Sequence, residues 1–261
     1  MSSAATHQDE YDDNMVAMLE IIWGEGYMAP GGPGNVARLL DGTSPRGKRI
    51  LDIGCGIGGP ALEMARTHGA TVTGIDLEAP LVERASASAK KYGLDDRCRF
   101  QVVDVGPLPF DDESFDIVLS SGAITQTGNK AALLEECHRV LTPGGHASCY
   151  EWMKSERELS DDMHYWFRLE GLTYAMETLD QYAERFRAAG LVDVDATDAS
   201  AWYRREAHRE YELISGELYD RLIDLLGSDD AELYVESWRA MTYVCDSGEM
   251  RQGYCRGRKP L

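Results

Sequence analysis

The chain has 261 residues, of which 43% are hydrophobic and 27% charged, and 45 acids against 26 bases give a formal net charge of −19. This length allows one large α/β domain. So acidic a chain disfavours a nucleic-acid partner, because phosphates are held by clustered Lys and Arg.

No run of about 18 apolar residues is present to cross a membrane, and the start of the sequence lacks the basic residues of a secretory signal. The six cysteines form no CxxC pair, so we expect a reduced, cytoplasmic protein without structural zinc or disulfides. The histidines show no metal-ligand spacing, and no metal is expected: His7, His68, His138, His146, His164 and His208.

In chain order, the apolar spacing first predicts helices over 15–23 and 35–40, separated by the break Pro30-Gly-Gly-Pro-Gly34. Strands and helices then alternate. The predicted strands are 49–53, 70–75, 98–103, 115–119, 145–151 and one starting at 192. The predicted helices are 60–68, 79–92, 130–141 and 179–189. Two further stretches, 153–178 and 201–227, have helical spacing but stand outside the alternation.

Alternating elements with nearly continuous apolar strands indicate a mostly parallel, doubly wound α/β sheet with helices on both faces. We therefore predict a single Rossmann-like domain. Residues 1–48 would form an N-terminal helical cap, 49–150 the ligand-binding core, and 151–261 a helical lid and substrate-facing part.

A glycine-rich loop follows the first predicted strand of the core. Ile50-Leu-Asp-Ile-Gly54 leads into Gly54-x-Gly56-x-Gly58-Gly59, and a helix begins there. Glycines permit close approach of a ligand, and the helix N-terminus offers free N–H groups. Dinucleotide enzymes and methyl-donor enzymes both use such a loop, so it does not choose between them.

Three acids at successive strand ends favour the methyl donor. Asp52 would repel a pyrophosphate, whereas S-adenosylmethionine presents an α-ammonium and a sulfonium. Asp76 suits ribose hydroxyls, and Asp104 suits an adenine amino group with Val105 packed on the ring. An NAD-dependent oxidoreductase, a non-catalytic binder of the cofactor and a purely structural turn remain the alternatives.

The segment Trp23-Gly-Glu-Gly-Tyr-Met-Ala-Pro-Gly-Gly32 resembles phosphoethanolamine N-methyltransferases of the single-domain parasite type. Trp238 and Arg251-Gln-Gly-Tyr-Cys255 resemble the same group, and the likeness runs from about Glu10 to Lys259. Sarcosine and dimethylglycine methyltransferases share this general architecture. The resemblance implies a class I S-adenosylmethionine-dependent methyltransferase that releases S-adenosylhomocysteine.

The resemblance also assigns roles to residues. Tyr27 and the Gly31-Gly32 turn would line the methionine end of the cofactor. Asp76, Leu77, Asp104 and Val105 would hold ribose and adenine. Tyr11 falls where the family keeps the tyrosine of a catalytic dyad, and Gln126 where it keeps the histidine. The cofactor contacts that we expect in addition are Asp52, Gly54, Gly56 and Ser120, and the expected substrate contacts are Trp23, Tyr174 and His164.

Cationic phosphate ligands of the family are missing here. Leu172 stands at an Arg position and Met241 at a Lys position, so phosphoethanolamine itself is disfavoured. A small amine is the expected acceptor, since aromatic side chains attract ammonium groups. O- or S-methylation of a small metabolite is the alternative, and a carboxylate substrate would need an arginine such as Arg168 or Arg239. The oligomeric state stays open.

Overall fold

The computed structural model describes residues 11–172 and 174–261, so His7 and Glu10 lie outside the described residues. The strands are β1 (Arg49–Ile53), β2 (Thr71–Asp76), β3 (Cys98–Val102), β4 (Phe115–Ser121), β5 (Leu141–Lys154), β6 (Val192–Asp198) and β7 (Met250–Arg258). The helices are α1 (Asp13–Trp23), α2 (Gly32–Leu39), α3 (Gly59–His68), α4 (Ala79–Lys91), α5 (Lys130–Val140), α6 (Asp161–Glu170), α7 (Leu179–Ala188), α8 (Ser200–Ser215), α9 (Tyr219–Leu226) and α10 (Ser228–Asp246).

The strands form one sheet in the order β3-β2-β1-β4-β5-β7-β6. Strands β1 to β5 run parallel, and β7 is antiparallel to both β5 and β6. The side chains of successive β1 residues point to opposite faces of the sheet. Ile50 packs into the core beneath α3, and Leu51 packs into the core beneath α5. The predicted mostly parallel sheet with helices on both faces is therefore confirmed.

Strand β5 begins at Leu141, four residues before the predicted start. The local sequence Pro143-Gly-Gly145 predicts the end of a helix and not the interior of a strand. The backbone N–H of Gly144 donates to the carbonyl of Lys259 (3.0 Å), and the N–H of Lys259 donates to the carbonyl of Gly145 (2.9 Å). These partners come from the far end of the chain, so the local pattern could not reveal them.

The two stretches outside the alternation differ from the single helices that their spacing predicts. Among the described residues of 153–178, those of α6 alone are helical. The stretch 201–227 is divided at Gly216, where α8 ends, and α9 starts after it. Glycine inside a helix costs about 1 kcal/mol relative to alanine, which favours a break there. The sequence yields no element for 228–261, which forms α10 and β7.

Helices α1, α6, α8, α9 and α10 share a hydrophobic core of their own, called here the helical layer. Trp152, near the end of β5, joins that core to the sheet: its ring lies 5.9 Å from Trp166 and 5.1 Å from Tyr203. This packing places the helical layer beside the carboxyl ends of the parallel strands. No helix in the described part of the chain combines the length and hydropathy needed to cross a bilayer.

Candidate functional site

A cavity of about 810 Å³ lies between the strand ends and the helical layer, within the usual range for small-molecule sites. Its loop half is lined by the glycine-rich loop, the ends of β1 and β2, and residues 103–106. Its helical half is lined by Met15, Met18, Leu19, Trp23, Trp152, Glu170, Leu172, Tyr174, Tyr234, Trp238 and Met241.

Two glycines shape the loop half. Gly54 has φ +68°, and a Cβ there would stand 2.1 Å from the Cβ of Ala123. Gly56 has φ +51°, and its backbone N–H donates to Oδ2 of Asp76 at 2.8 Å. Both positions combine a left-handed backbone with tight surroundings, so glycine is required for the loop to pass this close to the ligand space.

Asp52 and Asp76 are buried carboxyl groups on the loop half. Asp52 is only 1% exposed, and its Oδ2 has no hydrogen-bond partner among the described residues. Burial, followed by the charge of Asp76, raises the pKa of Asp52 to about 8. Burial likewise raises the pKa of Asp76, against hydrogen bonds that its oxygens accept from the N–H groups of Glu78 and Gly56. Two such acids favour a ligand with positive charge and hydrogen-bond donors.

Two apolar side chains at the edge of the loop half are exposed to solvent. Leu77 is 41% exposed and Val105 is 69% exposed, although both line the cavity, and Asp104 lies between β3 and Val105. Large exposed aliphatic groups beside a carboxylate suit a flat ring that carries an amino group. The structure thus brings together the residues that sequence analysis assigned to ribose and adenine.

Tyr11 and Gln126, which the resemblance assigns to the two dyad positions, are in contact at the wall of the cavity. The side-chain amide of Gln126 donates to the hydroxyl of Tyr11 at 3.0 Å. Gln126 ends a short 3-10 helix, Ile124–Gln126, whose backbone is held by the buried Glu151. The Glu151 carboxylate accepts from the N–H groups of Ile124 (3.3 Å) and Thr125 (2.9 Å).

Glu151 could not be identified from the sequence, because it lies at the end of a strand pattern and carries no motif. Burial raises its pKa to about 7 despite the hydrogen bonds that it accepts. Its role in the structure is to position the turn that presents Gln126.

A second buried charge ties this turn to the segment that carries Tyr174. Lys130 is 2% exposed, and its ammonium donates to the carbonyls of Thr127 and Ala175, both at 2.6 Å. The N–H of Ala175 also donates to the carbonyl of Thr125 at 2.8 Å. The two halves of the cavity are therefore joined by buried hydrogen bonds.

The tryptophans of the helical half have their polar atoms occupied elsewhere. The indole N–H groups of Trp23 (2.8 Å) and Trp238 (3.1 Å) both donate to the carboxylate of Glu210, which is 1% exposed. Burial raises the pKa of Glu210 to about 7. What these tryptophans offer to a ligand is consequently apolar ring surface.

Among the described residues that line the cavity, none is Lys, Arg or His. Leu172 and Met241 do line it, at the positions where the resemblance implies an arginine and a lysine. Arg168 is exposed near the ring of Tyr165, and Arg239 is ion-paired with Glu236. Neither arginine lines the cavity to receive a carboxylate.

Three expected contacts lie away from the cavity. Ser120 is 1% exposed and its hydroxyl donates to Glu151 at 3.2 Å, while Ser121, its neighbour on β4, faces the cavity. Gly31 caps α2, and a Cβ there would meet Trp202 at 3.1 Å. His164 is exposed on α6, with its ring edge-on to Phe167.

The remaining expected residues do line the cavity. They are Tyr11, Trp23, Tyr27, Asp52, Gly54, Gly56, Asp76, Leu77, Asp104, Val105, Gln126 and Tyr174. Met15 and Tyr234 also line it and were not anticipated, because apolar and aromatic residues on helices normally indicate core packing. Glu170 lines it too and was not anticipated, because a charged residue in a helical pattern normally indicates a solvated face. No group of His, Cys, Asp and Glu in the described ranges is arranged to hold a metal ion.

Comparison with known proteins identifies methyltransferases among the relatives of this chain. Residues 50–145 match a family model described as a methyltransferase domain. The chain is 31% identical over 198 residues to 27-O-demethylrifamycin SV methyltransferase of Amycolatopsis mediterranei, covering 75% of this chain and 72% of that protein. It is 27% identical over 245 residues to phosphoethanolamine N-methyltransferase 3 of Arabidopsis thaliana, covering 94% of this chain but 49% of the relative. The chain thus spans about half the length of the plant relatives that it matches.

A solved structure with the same fold is phosphoethanolamine N-methyltransferase 2 of Haemonchus contortus, in complex with phosphomonomethylethanolamine and S-adenosylhomocysteine. It superposes with a TM-score of 0.90 at 24% identity, covering 97% of this chain and 59% of that one. The resemblance that the segment 23–32 indicates is confirmed.

Proposed function

This chain belongs to the class I S-adenosylmethionine-dependent methyltransferases, and on that premise we propose that it transfers a methyl group from S-adenosylmethionine to a small-molecule acceptor, with an amine nitrogen preferred. The observation that carries the proposal is the buried carboxyl pair Asp52 and Asp76 beside the glycine loop, with one Asp52 oxygen lacking a partner in the described structure.

The residues present fit the cofactor. Its ammonium and sulfonium charges suit the two carboxyl groups, whereas a dinucleotide would place its anionic pyrophosphate against them. Asp76 would accept from ribose hydroxyls on the lone pairs left by Gly56 and Glu78. Leu77 and Val105 would enclose the adenine, and Asp104 would accept from its amino group. Tyr27, Gly54 and Gly56 would contact the methionine part.

Bound S-adenosylmethionine would supply an electrophilic methyl group: the lone pair of a neutral acceptor forms the new bond to carbon as the C–S bond breaks, which leaves S-adenosylhomocysteine. An amine that arrives as an ammonium ion must first lose its proton to water. The chain's own contribution would be orientation and the exclusion of water, which suffice for a reaction governed by proximity. Gln126 has no lone pair that serves as a base, so it would act by holding Tyr11 in place. The Tyr11 hydroxyl would then contact the acceptor.

A hydroxyl acceptor is the second candidate. The Amycolatopsis relative is named for a demethylrifamycin, and the helical half offers apolar surface for a bulky acceptor. We place the enzyme in the cytoplasm, since its cysteines are buried free thiols. We also propose the organisation into a cap (1–48), a cofactor-binding core (49–150) and a lid and substrate-facing part (151–261).

Calorimetry with S-adenosylhomocysteine and NAD tests the cofactor. We expect binding of S-adenosylhomocysteine and no binding of NAD, and the opposite result would overturn the proposal. Methyl transfer from labelled S-adenosylmethionine should then be measured across matched amines, alcohols and thiols. Labelled product from an amine supports N-methylation, while product from alcohols alone would favour the second candidate.

A further inference from the structure

We propose that the methyl acceptor carries a basic nitrogen on an apolar body, and that Glu170 is the residue that selects it by its charge. This inference rests on the proposed function and narrows its substrate class. It concerns the helical half of the cavity, where no residue was assigned to recognise charge.

Charge in the cavity is of one sign. The described acids that line it are Asp52, Asp76, Glu78, Asp104 and Glu170, and no described base accompanies them. Glu170 is the member of this set that lies in the helical half. An anionic acceptor would enter without a counter-ion and against this negative potential, which disfavours phosphates and carboxylates.

Glu170 is fixed in place by the local structure. It is the last residue of α6, and Gly171 then turns the chain with φ +67°. One carboxylate oxygen accepts from the hydroxyl of Ser237 on α10, and the other accepts from the hydroxyl of Tyr174 at 3.4 Å. The Trp166 side chain is a further donor that favours the ionised carboxylate. A carboxylate has about four lone-pair sites, so these three donors still leave acceptor capacity towards the cavity that Glu170 lines.

The surroundings of Glu170 favour a cation with an apolar body. Trp23, Tyr174, Tyr234 and Trp238 line the same half, and aromatic faces attract ammonium groups. Met15, Met18 and Met241 add polarisable, adaptable surface. Burial raises the pKa of Glu170, so the ionised form benefits from a cationic partner.

The test uses probes of similar size that differ in charge: 2-phenylethylamine, 2-phenylethanol and 3-phenylpropionate, with phosphoethanolamine as a fourth. Each is titrated calorimetrically into the full chain saturated with S-adenosylhomocysteine. The amine should bind at least about tenfold tighter than the alcohol, since a charge-assisted bond and a cation–π contact together exceed about 1.4 kcal/mol. 3-Phenylpropionate should bind more weakly than the alcohol because it is an anion. Phosphoethanolamine should also bind more weakly, because the charge of its phosphate outweighs that of its ammonium group and it has no apolar body.

Glu170→Gln should abolish the preference for the amine over the alcohol without changing the affinity for the alcohol, and Glu170→Asp should retain part of it. Glu236→Gln is the matched control, because Glu236 is paired with Arg239 outside the cavity. If Glu170 had a merely structural role, Glu170→Gln would weaken the binding of the amine and of the alcohol equally. If Glu170→Gln does not fold, Met241→Lys replaces it, and the added cation should shift the preference towards 3-phenylpropionate.

Equal binding of amine and alcohol to the unaltered chain would overturn the inference. The inference would also be overturned if Glu170→Gln kept the amine preference, or if Met241→Lys left the preference unchanged. It would be overturned as well if none of the probes bound. Failure to bind S-adenosylhomocysteine would instead overturn the proposed function, and this inference with it. Binding of S-adenosylhomocysteine without an amine preference would remove this inference alone.

Discussion

The side-chain amide of Gln126 donates a 3.0 Å hydrogen bond to the hydroxyl of Tyr11, across 115 positions of sequence. Tyr11 precedes α1, and Gln126 ends the 3-10 helix that follows β4. Since both residues line the cavity, this bond fastens the N-terminal part of the described chain over the ligand space.

Removal of the Tyr11 hydroxyl should therefore slow methyl transfer. We expect Tyr11→Phe to lower kcat/KM for the best acceptor by about two- to tenfold, the range of one hydrogen bond. The control is Tyr92→Phe, because the Tyr92 hydroxyl is likewise hydrogen-bonded to a side chain, donating to Glu25, but at the surface and outside the cavity. An unchanged rate in Tyr11→Phe would reduce Tyr11 to a packing residue.

Asp76 should control cofactor affinity. Its carboxylate accepts from the N–H groups of Gly56 and Glu78, and in the proposed assignment it would also accept from the ribose. Asp76→Ala should weaken binding of S-adenosylhomocysteine by at least about tenfold, because more than one hydrogen bond to a charged group is lost. Asp116→Ala, at the opposite end of the sheet beside Arg49, should leave calorimetric affinity unchanged. Equal affinities for the two variants would contradict the ribose assignment.

Asp52 should make the stability of the ligand-free protein depend on pH. Its folded pKa of about 8 lies above the ordinary value of 3.8, so between these limits the folded chain retains a proton that the unfolded chain has lost. The free energy of unfolding therefore falls as pH rises from about 4 to 8. Asp52→Asn cannot ionise and should lack this contribution.

The Tm of Asp52→Asn relative to the unaltered chain should consequently increase between about pH 5 and pH 8, as followed by circular dichroism. The same variant should bind S-adenosylmethionine more weakly, because a neutral amide cannot compensate a cation. A Tm difference that stays constant across this pH range would show that Asp52 is not the titrating group.

Gly54 should tolerate no side chain. Gly54→Ala combines φ +68° with a Cβ 2.1 Å from Ala123, so we expect the free energy of unfolding to fall by at least about 2 kcal/mol. Gly34→Ala is the control, since Gly34 lies in α2 and a Cβ added there would meet open space, so alanine should stabilise by up to about 1 kcal/mol. Urea denaturation measures both, and equal stabilities would exclude a steric requirement at Gly54.

The sequence by itself determined the features that repeat or act locally. The alternation of apolar strands and amphipathic helices is a property of short sequence segments. It therefore predicted the bounds of β1 to β4 to within two residues at each end. The glycine loop and the acids Asp52, Asp76 and Asp104 follow strand ends, and parallel strands bring those ends to one edge. This is why the sequence alone indicated that the residues of the loop half lie together.

Only the tertiary structure decided what depends on distant partners or on register. Strand β7 enters between β5 and β6 through backbone hydrogen bonds that no local pattern specifies. Successive side chains of β4 point to opposite faces of the sheet, so Ser120 contacts Glu151 while Ser121 lines the cavity. Which of the two faces the cavity depends on how the sheet packs. Glu170 becomes a group that faces a ligand only because α6 and α10 meet there, since helical spacing alone does not distinguish a cavity wall from a packed core.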